Sequence, residues 1–435
     1  MGVHWVLPGL LLLATTARSE FTFNIVLPPA EFSVPFTGKT SVRKHKKDAL
    51  AALRGVHSRA VQPNLDSTGS DGEYSFNLIV DTGSSDTWVP QIGFMCFDLD
   101  RNPIPEADCG FGSRGFDISA SKTFKPFPNI NLNITYNSGE FLSGPAGFDT
   151  ISVGGLSVTA QEFSVPNHIA WLGVNVTDGI MGSAFPNLTS VFNTSDPTKA
   201  SAANRLAYDP FFFSAVKQKK LNNTMFSVAL NRPSLDQDEL NVIAPDLGIL
   251  AFGGIAAVPV TNTTVSVPIE GYSARGGVTS TAPGALSLFY TIDVESLTFP
   301  GSENLTVSLN NTFIDTGTTF NYLPTDIAAA YNAAFDPPGV IDPDVGAFVV
   351  PCNATVPEFS LSIGGKTFTI DTRDQLFPLG PPVGNETLMC YTGTQDGGPA
   401  VATQQFILGT VFLHNVVATF DPFAGHLTFT QREKY

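Results

Sequence analysis

The chain has 435 residues, 43% of them hydrophobic, 14% charged and 11% aromatic, which is enough apolar material for a sizeable core and unlike a disordered or collagen-like polymer. Its 39 acidic and 23 basic residues give a formal charge of −16, which argues against an electrostatic grip on nucleic acid or on an anionic membrane. The length allows two or three domains.

Residues 1–17 hold a short apolar run followed by Thr15-Thr16-Ala17, the pattern of a secretory signal peptide and too short to span a bilayer. The polar residues 431–435 carry no lipidation signal, so no membrane anchor is expected. Ten Asn-x-Ser/Thr sequons beside a signal peptide suit a glycosylated, secreted chain, with a vacuolar destination as the alternative. Residues 1–65 contain eight Lys/Arg against three acids, leaving 15 basic and 36 acidic residues for the remainder. Residues 18–71 therefore read as a basic prosegment and linker that docks on an acidic body, with the polar, Gly-rich residues 66–72 as the junction.

Beyond residue 73, short apolar or alternating runs are broken by many of the chain's 39 Gly and 32 Pro, which predicts an all-β body with few short helices. Asp209-Pro210 opens one predicted helix, with Phe213 and Val216 on one face. Thr325 and Asp326 are placed to cap another, carrying Ile327, Ala330, Tyr331, Ala334 and Phe335 at helical spacing and ended by Pro337-Pro338. The apolar stretch 247–260 reads as buried strand plus turn. Of the four cysteines, Cys96 and Cys109 are close in sequence, and Cys352 and Cys390 lie far downstream. Two local disulfides are the simplest of three connectivities. A zinc site is the rival, but no pair has the short spacing that thiolate sites favour.

The most informative feature is an internal repeat. Residues 80–90, which include Asp81-Thr82-Gly83-Ser84 and Trp88, align without gaps on residues 314–324, which include Asp315-Thr316-Gly317-Thr318 and Tyr322. Each copy is followed by a second echo, Ile180-Met181-Gly182 and Ile407-Leu408-Gly409. One duplication over some two hundred residues predicts two lobes related by a pseudo-twofold axis, an N-terminal lobe over residues 72–247 with Asp81 and a C-terminal lobe over 248–435 with Asp315.

One Asp-Thr-Gly would be a weak signal, but two hydroxyl-extended copies, each after an apolar strand, are specific. In these motifs, in Tyr136 and Gly139 of a flap-like hairpin, and in residues 407–413, the chain resembles the pepsin-like aspartic endopeptidases from about residue 73 to its end. The resemblance implies a bilobal β fold with a cleft between the lobes and acid-dependent hydrolysis of polypeptides with bulky apolar side chains. It further implies a monomer needing no cofactor or metal, made as a zymogen inhibited by its own prosegment. The chemistry is consistent with these residues. Hydrolysis without a metal or a nucleophilic side chain needs one group to activate water and another to protonate the carbonyl, and two carboxyls held together keep one proton between them. Asp81 and Asp315 are the candidates for this pair. Gly83 and Gly317 let backbone approach the carboxylates, and Thr82, Ser84, Thr316 and Thr318 can orient them. The resemblance also implies that Trp88 and Tyr136 meet between the cleft floor and the flap.

Other site classes lack their motifs: there is no Gly-x-Ser-x-Gly elbow and no His-Glu-x-x-His. Two departures from the family stand out. The flap reads Tyr136-Asn137-Ser138-Gly139-Glu140 where relatives carry Tyr-Gly-Asp/Thr-Gly-Ser. The segment between Tyr74 and Phe76 is one residue long, where relatives place a strand and turn. A silent or destabilised homologue, binding peptides or inhibiting other enzymes, is the alternative that this gap suggests.

Overall fold

The computed structural model describes residues 27–39, 66–67, 74–112, 115–173, 175, 177–232, 243–271, 288–303, 309–343, 346–379, 387–400 and 406–435. The expected signal peptide and most of the basic leader lie outside these residues. The described chain is mainly strand, with three α-helices among the described residues.

Each half is built around a buried strand that delivers one copy of the repeat. Leu78–Asp81 is apolar up to its terminal carboxyl and buried at every position, as a strand covered on both faces must be. It runs parallel to Gly179–Gly182, with Asp81 opposite Gly182, and Thr87–Trp88 returns antiparallel to that strand. In the second half, Leu309–Ile314 runs parallel to Ile407–Leu408, and Asn321–Leu323 returns antiparallel to it. The two echoes of the repeat are therefore the strands that clamp each Asp-Thr-Gly loop.

In the first half these strands belong to a large sheet whose longest hairpin pairs Lys125–Thr135 with Phe141–Val153. Alternation along Phe141–Val153 buries every second side chain, interrupted by one shift of phase at Ala146 and Gly147. The second half carries sheets of five, three and four strands. Beneath both lies a six-stranded sheet ordered Phe32–Lys39, Ile243–Phe252, Phe226–Leu230, Val416–Asp421, His426–Arg432, Val260–Pro268. This sheet draws on both halves and on the leader. The lobe boundary expected between residues 247 and 248 falls inside its strand Ile243–Phe252.

Helices form at Phe211–Lys217, Thr325–Ala333 and Thr410–Leu413. The cap expected from Thr325 is corrected: Pro324 holds the N-cap position without a side-chain bond, and the Thr325 hydroxyl donates to Asp396 Oδ1 at 2.7 Å. Both disulfides are local, Cys96–Cys109 and Cys352–Cys390.

Of the linker residues, Asp66–Ser67 pairs with Ile151 and Ser152 in the first-half sheet. The core behind Asp81 is closed despite the short segment that precedes it. Phe76 is buried, and the Tyr74 ring lies 4.8 Å from that of Phe116, from which edge-on contacts run through Phe124 to Phe163.

Candidate active site

The two Asp-Thr-Gly loops meet face to face. The Thr82 N–H donates to Thr316 Oγ1 and the Thr316 N–H donates to Thr82 Oγ1, both at 3.0 Å. Each hydroxyl in turn donates across the junction, Thr82 to the Ile314 carbonyl at 2.8 Å and Thr316 to the Val80 carbonyl at 2.7 Å. Both threonines are almost fully buried, so these four bonds form where water cannot compete and every partner is needed.

This cross-brace sets the carboxyls side by side. Asp81 Oδ1 accepts from the Gly83 N–H at 2.8 Å, and Asp315 Oδ1 accepts from the Gly317 N–H at 2.7 Å. The outer oxygens accept from hydroxyls, Asp81 from Ser84 and Asp315 from Thr318, the latter at 2.6 Å. A Cβ at Gly83 would stand 2.6 Å from the Asp315 carboxylate, and one at Gly317 would collide with that of Asp81. Glycine is required at both places by this approach. Burial, and then the neighbouring charge of Asp315, push the Asp81 carboxyl far above the usual range, against the bonds from Ser84 and Gly83. The pair thus retains a proton that an isolated carboxylate would have lost.

A cleft of about 290 Å³ opens over the pair. Its floor holds Asp81, Gly83, Ser84, Asp315, Gly317 and Thr318, and its apolar walls include Ile134, Leu188, Phe289, Phe313, Tyr322 and Ile407. Tyr136, Asn137 and Ser138 reach over it from the hairpin turn. The turn is closed by the Tyr136 N–H donating to the Glu140 carbonyl at 2.8 Å and the Gly139 N–H donating to the Tyr136 carbonyl at 2.9 Å. Gly139 makes this turn with φ at 89°.

Four expected site residues sit elsewhere than in the cleft wall. Trp88 is fully buried, its indole N–H donating to the flap's Tyr136 hydroxyl at 2.8 Å and its ring meeting Trp171 edge-on. It therefore holds the flap tyrosine instead of facing a ligand. Gly139 shapes the turn and is absent from the lining. Thr82 and Thr316 brace from below.

The sequence reading missed two buried carboxyls. Asp86 lines the cleft while fully buried, and its Oδ2 accepts from the Ser190 N–H at 2.8 Å. Burial pushes its pKa up to about 7, against the Ser190 bond, the Tyr208 hydroxyl and the charge of Arg205. Glu140 is buried under the flap, with Oε1 accepting from the Leu172 N–H at 2.7 Å and Oε2 from the Ser138 hydroxyl at 2.8 Å. The only signal for either was its place beside a motif residue.

Among the described residues, no group of His, Cys, Asp and Glu is placed to hold a metal ion, and no helix is long and apolar enough to cross a membrane.

Comparison with known proteins places this geometry in a family. The eukaryotic aspartyl protease family profile matches residues 68–431. A protein of Aspergillus fumigatus described as a probable aspartic-type endopeptidase is 34% identical over 362 residues, 82% of this chain and 76% of that protein. Mucorpepsin of Rhizomucor miehei is 30% identical over 430 residues, 91% of this chain and 88% of mucorpepsin. The crystal structure of an aspartic proteinase from Irpex lacteus superposes with a TM-score of 0.63 at 21% identity, covering 92% of this chain and 97% of that one, and so shares its fold. The chain belongs to the eukaryotic aspartyl protease family and is an aspartic-type endopeptidase.

Proposed function

We propose that this chain is a secreted aspartic endopeptidase, active in acid, whose catalytic pair is Asp81 and Asp315. The observation that carries this reading is the facing pair itself, two carboxyls each held by a glycine N–H and a hydroxyl, at the floor of a cleft. With one proton between them, the ionised carboxyl takes a proton from a water molecule as it attacks the scissile carbonyl. The protonated one donates to the carbonyl oxygen; the proton taken from water then passes to the leaving amine as the C–N bond breaks, and the intermediate's hydroxyl returns its proton to the other carboxyl. Ser84, Thr318 and the two glycine N–H groups fix the carboxyl planes, so the oxygens need not reorganise during the reaction.

The apolar walls suit an extended polypeptide with bulky apolar side chains on either side of the cut bond. Tyr136, held by Trp88, covers that bond from the flap. The enzyme acts as a monomer. The basic leader is its intramolecular inhibitor, and its attraction to the acidic body fades as the body's carboxylates are protonated.

The test is acidified recombinant protein offered casein or haemoglobin. Hydrolysis that disappears with a transition-state-mimicking aspartic protease inhibitor supports the reading. No hydrolysis by correctly folded protein contradicts it and supports the silent alternative.

A further inference from the structure

The cleft carries one charge that the reaction does not use. Among the described residues that line it, Arg205 alone is basic, against Asp81, Asp86 and Asp315. It stands in the short strand Arg205–Leu206, which pairs with Val191–Phe192, and that strand pairs in turn with Leu132 and Asn131 of the hairpin that carries the flap. Arg205 is thereby fixed relative to the lid, and it is exposed. Its guanidinium is held rigidly. The Nε–H donates to the Thr189 carbonyl at 2.6 Å, and one terminal nitrogen donates to the Leu188 carbonyl at 2.7 Å and to the Ser190 hydroxyl at 3.3 Å. Leu188 is itself part of the apolar wall. An arginine pinned in this way has already lost the rotamer freedom that a loose one surrenders on meeting a ligand. A planar, permanently charged group is thus presented to the cleft in one orientation.

The surroundings make that charge count in acid. Ser190 joins Arg205 to a neighbouring carboxyl, since its N–H donates to Asp86 Oδ2 while its hydroxyl accepts from the guanidinium. Asp86, which burial pushes up to about 7, keeps its proton at pH 5 and does not cancel the guanidinium charge. The Tyr136 and Tyr208 phenols near it, both pushed up by burial, stay neutral. A glutamate side chain on a bound polypeptide, with a pKa of about 4.3, is mainly ionised at the same pH. A fixed guanidinium therefore meets an anion in a cleft whose walls are largely apolar, where such a bond is shorter and stronger than one between neutral groups.

We propose that Arg205 selects an acidic side chain on the bound polypeptide, so that the cleft takes bulky apolar residues at the cut bond and a carboxylate beside the Leu188–Ser190 turn. This inference rests on the reading of an active protease above and narrows its substrate, and its test reads binding, so that the two can fail separately. N-acetylated, C-amidated peptides of apolar sequence, with a reduced bond in place of the scissile amide, carry a single Glu or Gln walked through the three positions on either side of that bond. The blocked ends leave the Glu side chain as the one carboxylate. Dissociation constants are measured by calorimetry at pH 5 on protein first acidified to pH 3.5. At one position the Glu peptide should bind about tenfold more tightly than its Gln twin. The preference should vanish in Arg205→Gln and, for the native protein, at pH 3, where the Glu is protonated. Added salt should weaken it, and Arg205→Lys, which keeps the charge without the fork, should retain part of it. No Glu preference at any position, or one that survives in Arg205→Gln, overturns the proposal. So does a loss of affinity in Arg205→Gln that is equal for the Glu and Gln peptides, because the guanidinium would then only tie the turn. Failure of every peptide to bind would overturn the protease reading as well, whereas binding with the Glu preference but no hydrolysis would weigh against that reading alone.

Discussion

The two halves of the active site are close copies at the backbone and differ in their surroundings. Each Asp-Thr-Gly loop is preceded by a buried strand, is clamped by a parallel echo strand and has its carboxyl held by a glycine N–H and a hydroxyl. Five positions after the first Asp stands Asp86, a fully buried carboxyl, whereas the equivalent in the second half is Phe320. Seven positions after it stands Trp88, sealed beneath the flap, whereas the equivalent Tyr322 lines the cleft. On the proposed reading the repeated part builds the chemistry, and the unrepeated part builds the lid and places a third carboxyl in the cleft lining. Duplication supplies a symmetric pair, and its neighbours make the two sides distinct.

If the symmetric part is the chemistry, either half should be equally indispensable. Asp81→Asn and Asp315→Asn should each lower kcat by roughly 10²–10⁴-fold with unchanged circular dichroism. Substantial activity in one folded variant alone would break the comparison.

Asp86 tests the asymmetric part. Its folded pKa, about 7, lies above the ordinary 3.8. Its contribution to stability is therefore fully present below pH 4 and is lost as pH rises toward 7, when the unfolded chain ionises and the folded one resists. A folded value of about 7 against 3.8 corresponds to roughly 4 kcal/mol. Asp86→Asn should remove this decline, and denaturant unfolding from pH 4 to 8 would measure it.

The cross-brace returns to symmetry. Thr82→Val and Thr316→Val each strand a buried N–H and a buried carbonyl, at about 1–3 kcal/mol for each group. Equal losses in urea unfolding are expected. The smallest effect belongs to the lid: Tyr136→Phe strands one buried donor, the Trp88 indole N–H, at about 1–3 kcal/mol, where each threonine change strands two groups. It should also raise KM severalfold. The corresponding half has Tyr322 on the wall of the cleft in place of this buried clamp.

The legible parts of the fold were those set by neighbours in sequence. The gapless repeat singled out Asp81 and Asp315, which the structure brings together, because each Asp-Thr-Gly loop is local, and the two local disulfides were the simplest of three connectivities. The helix Thr410–Leu413 was missed because all four of its residues are buried, leaving no polar face to mark its period. Asp86 and Glu140 take their character from Ser190 and Leu172, 104 and 32 residues away, and nothing near them in sequence reports burial. The strand Ile243–Phe252 spans the boundary expected between residues 247 and 248, and its partner Phe32–Lys39 lies far from it in sequence.

The central claim is that the two carboxyls act as one pair with one proton. It is tested most directly by following the Asp81 carboxyl through a pH titration, by isotope-edited infrared spectroscopy, in the native protein and in Asp315→Asn. With Asp315 neutral the repulsion that helps hold the proton is gone, so the Asp81 midpoint should fall clearly while burial keeps it above an ordinary carboxyl. An unchanged midpoint would mean that the two groups titrate independently and would contradict the account.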